Sequence, residues 1–139
     1  MRVLAIDFGE RRIGFAISDP SRTLARPLVT IRVTASDRVT RVLDEIIRLE
    51  AEDDGVSQII VGRPLSLDGV PHDQTRAVDA FVAELKTRTQ IPVMTEDERL
   101  SSREAESRLA VREKDWRKRK EQLDAAAAAV VLQDYLDRR

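Results

Sequence analysis

Apolar positions in the first quarter of the chain form three short runs that predict β-strands, at residues 3–6, 13–18 and 24–33. The connections between these runs are short, which predicts that the three strands pair as an antiparallel meander. Pro27 lies inside the third run and indicates an edge, a bulge or a late strand start, because proline cannot donate to a sheet.

The rest of the chain alternates between helical and strand-like spacing of apolar residues. The first helix begins after Ser36, a predicted N-cap, and ends before Gly55. Strands are then predicted at 57–62 and 91–95, helices at 75–88, 100–112 and 123–136, and a charged connection at 113–122. The order β-β-β-α-β-α-β-α-α predicts an α/β fold whose mixed sheet carries helices on both faces.

Length and composition narrow the class of protein. A chain of 139 residues predicts a single domain over 1–139, and 42% hydrophobic with 35% charged residues is typical of a soluble globular chain. The absence of cysteine excludes disulfides and thiolate zinc sites and fits a cytoplasmic location. No apolar run is long enough to span a bilayer, and Asp7 and Glu10 interrupt any secretory pattern.

Asp7 ends the first predicted strand and is followed closely by Gly9 and Gly14. A charge at the end of a buried strand costs free energy unless it is paired or binds a cation. The glycines let the backbone turn tightly and approach a ligand closely. A surface hairpin whose aspartate caps its own turn explains the same stretch equally well.

Acidic residues also occur at two further places, after a predicted strand and at the start of a predicted helix. Glu96, Asp97 and Glu98 come after the strand at 91–95, and Asp124 stands in the predicted first turn of an alanine-rich helix. Acids at helix starts also suit the helix dipole, which is the simpler explanation of each. Together, carboxylates without histidine or cysteine suit Mg²⁺ or Mn²⁺, and two such ions about 4 Å apart can cleave a phosphodiester.

Basic residues are concentrated before the last helix, around the only tryptophan. We expect this segment to contact nucleic acid through phosphate pairing and base stacking; its members are Lys114, Trp116, Arg117, Lys118 and Lys120. A solvated loop with Trp116 folded under the core is the alternative. Arg11 and Arg12 stand beside Asp7 and are expected to hold a substrate phosphate. Arg99 stands beside Glu98 and is expected either to do the same or to pair with a neighbouring acid.

Four motifs in order, "AIDFGERRIGFAISD", "IIVGRPLSLDG", "EDERLSSREA" and K-x-x-x-D-A-A-A, resemble the YqgF/RuvX family. That family is described both as Holliday junction resolvases and as pre-16S rRNA nucleases. The resemblance covers essentially the whole chain. It implies an RNase H-like fold, with a five-stranded mixed sheet whose first three strands are antiparallel and with helices on both faces.

The resemblance also implies a catalytic, metal-binding set of Asp7, Glu98 and Asp124 that holds Mg²⁺ or Mn²⁺ as a two-metal site. Glu96 and Asp97 stay open as alternatives to Glu98. This chain departs from the pattern at three positions, where related proteins carry a further acid, an asparagine and an apolar residue: Ala127, Ser66 and Arg63. His72 is interpreted as a loop residue, because a metal-dependent site needs no histidine base.

The function expected from this resemblance is a metal-dependent endonuclease that processes the 5′ end of pre-16S rRNA. The alternatives are a resolvase of branched DNA, which would act as a homodimer, and a non-catalytic nucleic-acid-binding module. A sugar kinase or actin-like ATPase shares the strand–Asp–Gly turn but needs a second domain, for which 139 residues leave no room. The expected partner is RNA or branched DNA, and no membrane is involved.

Overall fold

The computed structural model describes residues 1–66, 68–97 and 116–138, with the side chains of the last range described from residue 123 onward. The described elements in chain order are β1 (Arg2–Asp7), β2 (Arg12–Ser18), β3 (Ala25–Arg32), α1 (Arg38–Glu50), β4 (Val56–Arg63), α2 (Asp73–Arg88), β5 (Val93–Asp97) and α3 (Trp116–Asp137). None of these helices has both the length and the apolar character needed to cross a membrane.

The strands form one five-stranded sheet in the order β3-β2-β1-β4-β5. β2 pairs antiparallel with both β1 and β3, whereas β4 pairs parallel with β1 and β5 pairs parallel with β4. The predicted mixed sheet with three antiparallel strands is therefore confirmed. Because β1, β4 and β5 run the same way, their carboxyl ends lie along one edge, where open α/β sheets place their ligands.

Helices cover both faces of the sheet, as predicted. Leu4 and Ile6 of β1 belong to a core that includes the buried residues of α1 and α2. Val3 and Ala5 belong to a second core built with α3. Side chains alternate along a strand, so Asp7, two residues after Ala5, lies on the α3 face.

The last helix begins at Trp116, so the prediction of a charged connection through residue 122 is wrong for residues 116–122. Arginine, lysine, glutamate and glutamine are good helix formers, and no glycine or proline interrupts them. Asp124 consequently lies in the third turn of α3 and not in its first, so the helix dipole does not explain its position. The predicted helix at 100–112 lies outside the described residues.

Two smaller expectations concern helix and strand ends. α1 has Asp37 as its N-cap rather than Ser36, and the Asp37 carboxylate accepts the Thr34 N–H at 2.7 Å. β3 is an edge strand, and its register with β2 shifts between Phe15 and Ala16, next to Pro27. The edge and the bulge predicted from this proline are both present.

Asp19 organises the turn between β2 and β3. Its carboxylate accepts hydrogen bonds from the Ser21 hydroxyl at 2.6 Å and from the N–H groups of Thr23 and Leu24 at 2.7 and 3.1 Å. These bonds, that of Ser21 first, lower the pKa of Asp19 from 3.8 to about 2.

This lowered pKa predicts a pH-dependent contribution of Asp19 to stability. A carboxylate favoured in the folded state stabilises fully above its unfolded pKa and loses that effect as pH falls through its folded pKa. We therefore expect Asp19→Ala to lower Tm at pH 7, with the difference from the parent shrinking between pH 4 and pH 2. Thermal unfolding of both proteins across that range tests this, and a difference independent of pH would contradict it.

Candidate active site

Gly14 brings the last helix onto the sheet beside Asp7. Asp7 and Gly14 are direct register partners in the β1–β2 pair. A Cβ atom on Gly14 would lie 2.2 Å from the carbonyl carbon of Asp124 and 2.3 Å from its oxygen. The α3 backbone therefore crosses β2 in direct contact at this position. Gly14 lies inside the strand, and its lack of a side chain leaves room for the α3 backbone. The expectation that it shapes the turn for a ligand is therefore wrong.

The alanines of α3 make the rest of this approach close. Ala125, Ala127 and Ala128 are all buried, and small side chains let a helix and a sheet lie near one another. Asp124 precedes this run, so its short side chain starts from a backbone that already touches the sheet. Asp7 and Asp124, which are 117 positions apart in the chain, are brought to the same end of the same sheet face.

Arg12 forms an ion pair with Asp124, with 3.1 Å between Arg12 Nε and Asp124 Oδ2. Both side chains are about one-quarter exposed, at 26% and 22%. Arg12 is the first residue of β2, two before Gly14, and so shares the α3 face with it. The expected role of Arg12 was to hold a substrate phosphate, and its ion pair with Asp124 was not predicted.

An open depression of about 350 Å³ lies at this end of the sheet, lined by Gly9, Glu10, Arg11, Arg12 and Asp124. The β1–β2 turn that forms its wall is tight, because a Cβ on Gly9 would lie 2.4 Å from the Arg12 carbonyl oxygen. Arg11 is exposed in this wall. The depression therefore combines a carboxylate with a cation on a short, tightly turned loop, a setting suited to a phosphate ester with its counter-cation.

The acids at the end of β5 separate onto the two faces of the sheet. Glu96 is paired in register with Gly62 and forms an ion pair with Arg138, which follows α3. Asp97 is paired in register with Arg63, next to it along the chain, and so lies on the opposite face. Period-two alternation of a strand could have predicted this separation.

Arg63 ties the end of β4 to α2. It donates to both carboxylate oxygens of Asp79, at 2.9 and 3.1 Å. The pKa of Arg63 is raised chiefly by this hydrogen bond, and the negative charge of Asp97 adds to the rise. The same bond lowers the pKa of Asp79. Arg63, which departs from the family pattern, thus has a structural partner, and Asp97 lies near it, away from Asp7.

Several predicted site residues cannot be placed. Glu98, Arg99 and Lys114 lie outside the described residues. The backbones of the other four basic-segment residues belong to the first turns of α3, while their side chains lie outside the described part: Trp116, Arg117, Lys118 and Lys120. Where the chain is described, no three residues among His, Cys, Asp and Glu form a group able to hold a metal.

His72 has a structural role at the start of α2. Its Nδ1 accepts the Gln74 N–H at 3.2 Å, and the Thr75 hydroxyl accepts the His72 N–H at 3.1 Å. This reciprocal arrangement is a capping box, which satisfies backbone groups at a helix start. The interpretation of His72 as a residue without a catalytic role agrees with this geometry.

Sequence reasoning missed the packing role of Gly14 and two arginines of α1, Arg38 and Arg41. A glycine inside a strand is a known sign of close backbone approach, and that sign was available. The arginines read as the solvated side of a helix, and only the tertiary structure shows that they contact the β1–β2 turn and the end of β3.

Comparisons with known proteins place this geometry in a family. Residues 1–138 match the family model described as "RuvX: Holliday junction resolvase". A protein of Maridesulfovibrio salexigens named "Putative pre-16S rRNA nuclease" is 44% identical over 138 residues, which cover 99% of each chain.

Two solved structures share the fold at low sequence identity. The fowlpox virus resolvase in complex with Holliday junction DNA has a TM-score of 0.60 at 11% identity, with 99% of this chain and 98% of that chain covered. Thermus thermophilus RuvC with its Holliday junction substrate has a TM-score of 0.55 at 16% identity, with 99% and 95% covered. The fold is therefore RNase H-like, and the chain belongs to the RuvX family of Holliday junction resolvase-related proteins.

Proposed function

We propose that this protein is a divalent-metal-dependent nuclease whose site is built on Asp7, Asp124 and Glu98. The observation that carries the proposal is the contact between Gly14 and the Asp124 backbone, which brings two distant aspartates to one end of the sheet. Two like charges at one end of a sheet repel unless cations lie near them. Arg12 pairs with Asp124 there, and a divalent cation held by both carboxylates would stabilise the pair further. A carboxylate-only donor set fits Mg²⁺ or Mn²⁺.

The assignment of Glu98 rests on the family resemblance, whose motif reads D-E-R at residues 97–99. Asp97 lies on the α2 face beside Arg63, away from Asp7. Glu96 shares the α3 face with Asp7 and pairs with Arg138. Glu98 is proposed as the third carboxylate, and Glu96 is the alternative to it.

Each residue of the chain has a distinct part in the proposed reaction. Asp7 and Asp124 supply carboxylate oxygens, and the Arg12 guanidinium pairs with Asp124 Oδ2 at 3.1 Å and so orients that carboxylate. Arg11, exposed in the wall of the depression, binds a non-bridging phosphate oxygen. Bound divalent cations would supply Lewis-acid activation of water and neutralise charge on the leaving oxygen.

The proposed substrate is the 5′ extension of pre-16S rRNA. Its support is the 44% identical relative, which is named as a pre-16S rRNA nuclease and matches over 99% of both chains; the choice of the 5′ end follows the expectation from the family resemblance. The test is cleavage of a 5′-extended rRNA precursor and of a four-way DNA junction, each with Mg²⁺ and with Mn²⁺. We expect cleavage of the precursor; no cleavage of either substrate with either metal would contradict the proposed nuclease.

Junction resolution is the second candidate, favoured by the family model and by the fold shared with two resolvases. Paired symmetric cuts in a junction require two active sites, and hence a homodimer. Symmetric cutting of the junction by a dimer, without cleavage of RNA, would replace the rRNA proposal with this one.

Substitutions of the neighbouring residues Arg12 and Arg11 are expected to have different kinetic effects. Arg12→Gln removes the partner that orients Asp124, so we expect kcat to fall about 10- to 100-fold with little change in KM, as for other groups that orient metal ligands. Arg11→Gln removes a phosphate contact and should mainly raise KM. Steady-state cleavage kinetics of both variants test this, and a pure KM effect of Arg12→Gln would show that Arg12 binds substrate instead.

A further inference from the structure

We propose that Arg11, Arg38 and Arg41, named here the arginine rim, form a track for the sugar-phosphate backbone leading into the depression from the α1 side. The inference rests on the proposed function, because it assumes a nucleic-acid substrate. It extends that function by proposing that the nucleic acid approaches the depression over the α1 side, which is a different surface from the basic segment at the start of α3.

The rim is continuous with the depression. Arg38 Nη2 donates to the Glu10 carbonyl oxygen at 3.0 Å, and Glu10 lines the depression together with Arg11. The Arg38 guanidinium also lies 5.3 Å from the ring centroid of Phe8, in the same turn. These contacts fix one rim cation directly beside the proposed site.

The second half of the rim lies where β3 ends. Arg41 Nη1 donates to the Arg32 carbonyl oxygen at 2.8 Å. The Val33 N–H donates to the Arg11 carbonyl oxygen at 2.9 Å and joins the β1–β2 turn to the end of β3. Arg38 and Arg41 are three residues apart on α1, so their side chains leave the same side of the helix.

The charge of the rim remains available to an anion. The hydrogen bonds from Arg38 to Glu10 and from Arg41 to Arg32 go to neutral carbonyl oxygens, which hold the guanidinium groups in place without cancelling their charge. Two acids share the area, Glu10 and Asp37. The pKa of Asp37 is lowered chiefly by the hydrogen bond from the Thr34 N–H and also by the charge of Arg41, so Asp37 offsets part of that charge. Phosphate is the anion that preoriented guanidinium groups along a surface recognise best.

The test is the salt dependence of the binding constant for two labelled substrates, a 5′-extended rRNA precursor and a four-way DNA junction. Each is measured once in EDTA and once in Ca²⁺. We expect the double variant Arg38→Gln/Arg41→Gln to bind with a log K against log[salt] slope smaller by about 1.4 for single strands or about 1.8 for duplex. The charge-preserving double variant Arg38→Lys/Arg41→Lys should keep the parent's slope.

The matched control is Arg26→Gln, an exposed arginine at the opposite end of β3, about 20 Å from the rim along the strand. It should leave the slope unchanged. A parent slope retained by Arg38→Gln/Arg41→Gln, in a protein that binds and cleaves nucleic acid, would overturn the rim alone. Failure of the parent to bind or cleave either substrate would overturn the proposed function and the rim with it.

Discussion

Asp7→Asn is expected to fold like the parent and to cleave nucleic acid about 10³-fold more slowly. The substitution keeps the shape of the side chain but removes the charge that we propose holds a cation at the end of β1. A cation contributes several kcal/mol to stabilising the transition state, and about 4 kcal/mol corresponds to about 10³ in rate. Cleavage under single-turnover conditions in Mg²⁺ and Mn²⁺ measures the effect.

The control for this variant is Asp97→Asn, which lies two strands away from Asp7 in the sheet order, at the same carboxyl ends of the parallel strands. Asp97 lies on the α2 face beside Arg63, so its neutralisation should leave the cleavage rate unchanged. Binding of substrate in EDTA should be retained by both variants. Cleavage by Asp7→Asn at the parent's rate would remove Asp7 from the catalytic set.

Gly14→Ala is expected to reduce both stability and activity. The new Cβ would lie 2.2 Å from a backbone carbon of Asp124, and a backbone cannot rotate away as a side chain can. α3 must shift, which we expect to cost about 3 kcal/mol and to lower Tm by about 10 °C. Because a displacement of about 1 Å can reduce a rate about 10²-fold, kcat of the folded protein should fall as well.

A second substitution in the same helix separates these two effects. Leu132 is a fully buried residue of α3. It lies eight residues after Asp124, or about 12 Å along the helix. Leu132→Ala should cost a similar amount, about 2–5 kcal/mol, through a cavity. It should nevertheless retain kcat at a temperature where the protein is folded. Equal losses of kcat in both variants would show that stability, and not the position of Asp124, controls the rate.

The sheet could be predicted because its signals are local. Short connections between the first three apolar runs led to the antiparallel meander, and the alternating helices and strands led to the parallel half. The start of α3 at Trp116 was missed because a run of charge lacks the apolar spacing used to recognise a helix, although its residues favour helix.

The site was predictable only in part, for a physical reason. Asp7 was marked by its position at the end of a buried strand, but its association with Asp124 depends on how a distant helix crosses the sheet. From the residues alone, a turn cap explained Asp7 and the helix dipole explained Asp124. Only the family resemblance indicated that the two act together. The Arg12–Asp124 ion pair follows from the same crossing, so no local pattern distinguishes it from a phosphate contact.

The central claim, that Asp7 and Asp124 hold a divalent cation together, is tested most directly by Mn²⁺ binding followed by electron paramagnetic resonance without substrate. We expect saturable Mn²⁺ binding by the parent and by Asp97→Asn, and its loss in Asp7→Asn, Asp124→Asn and Glu98→Gln, with circular dichroism showing that all five proteins are folded. Mn²⁺ binding by folded Asp7→Asn or Asp124→Asn with the parent's affinity would contradict it.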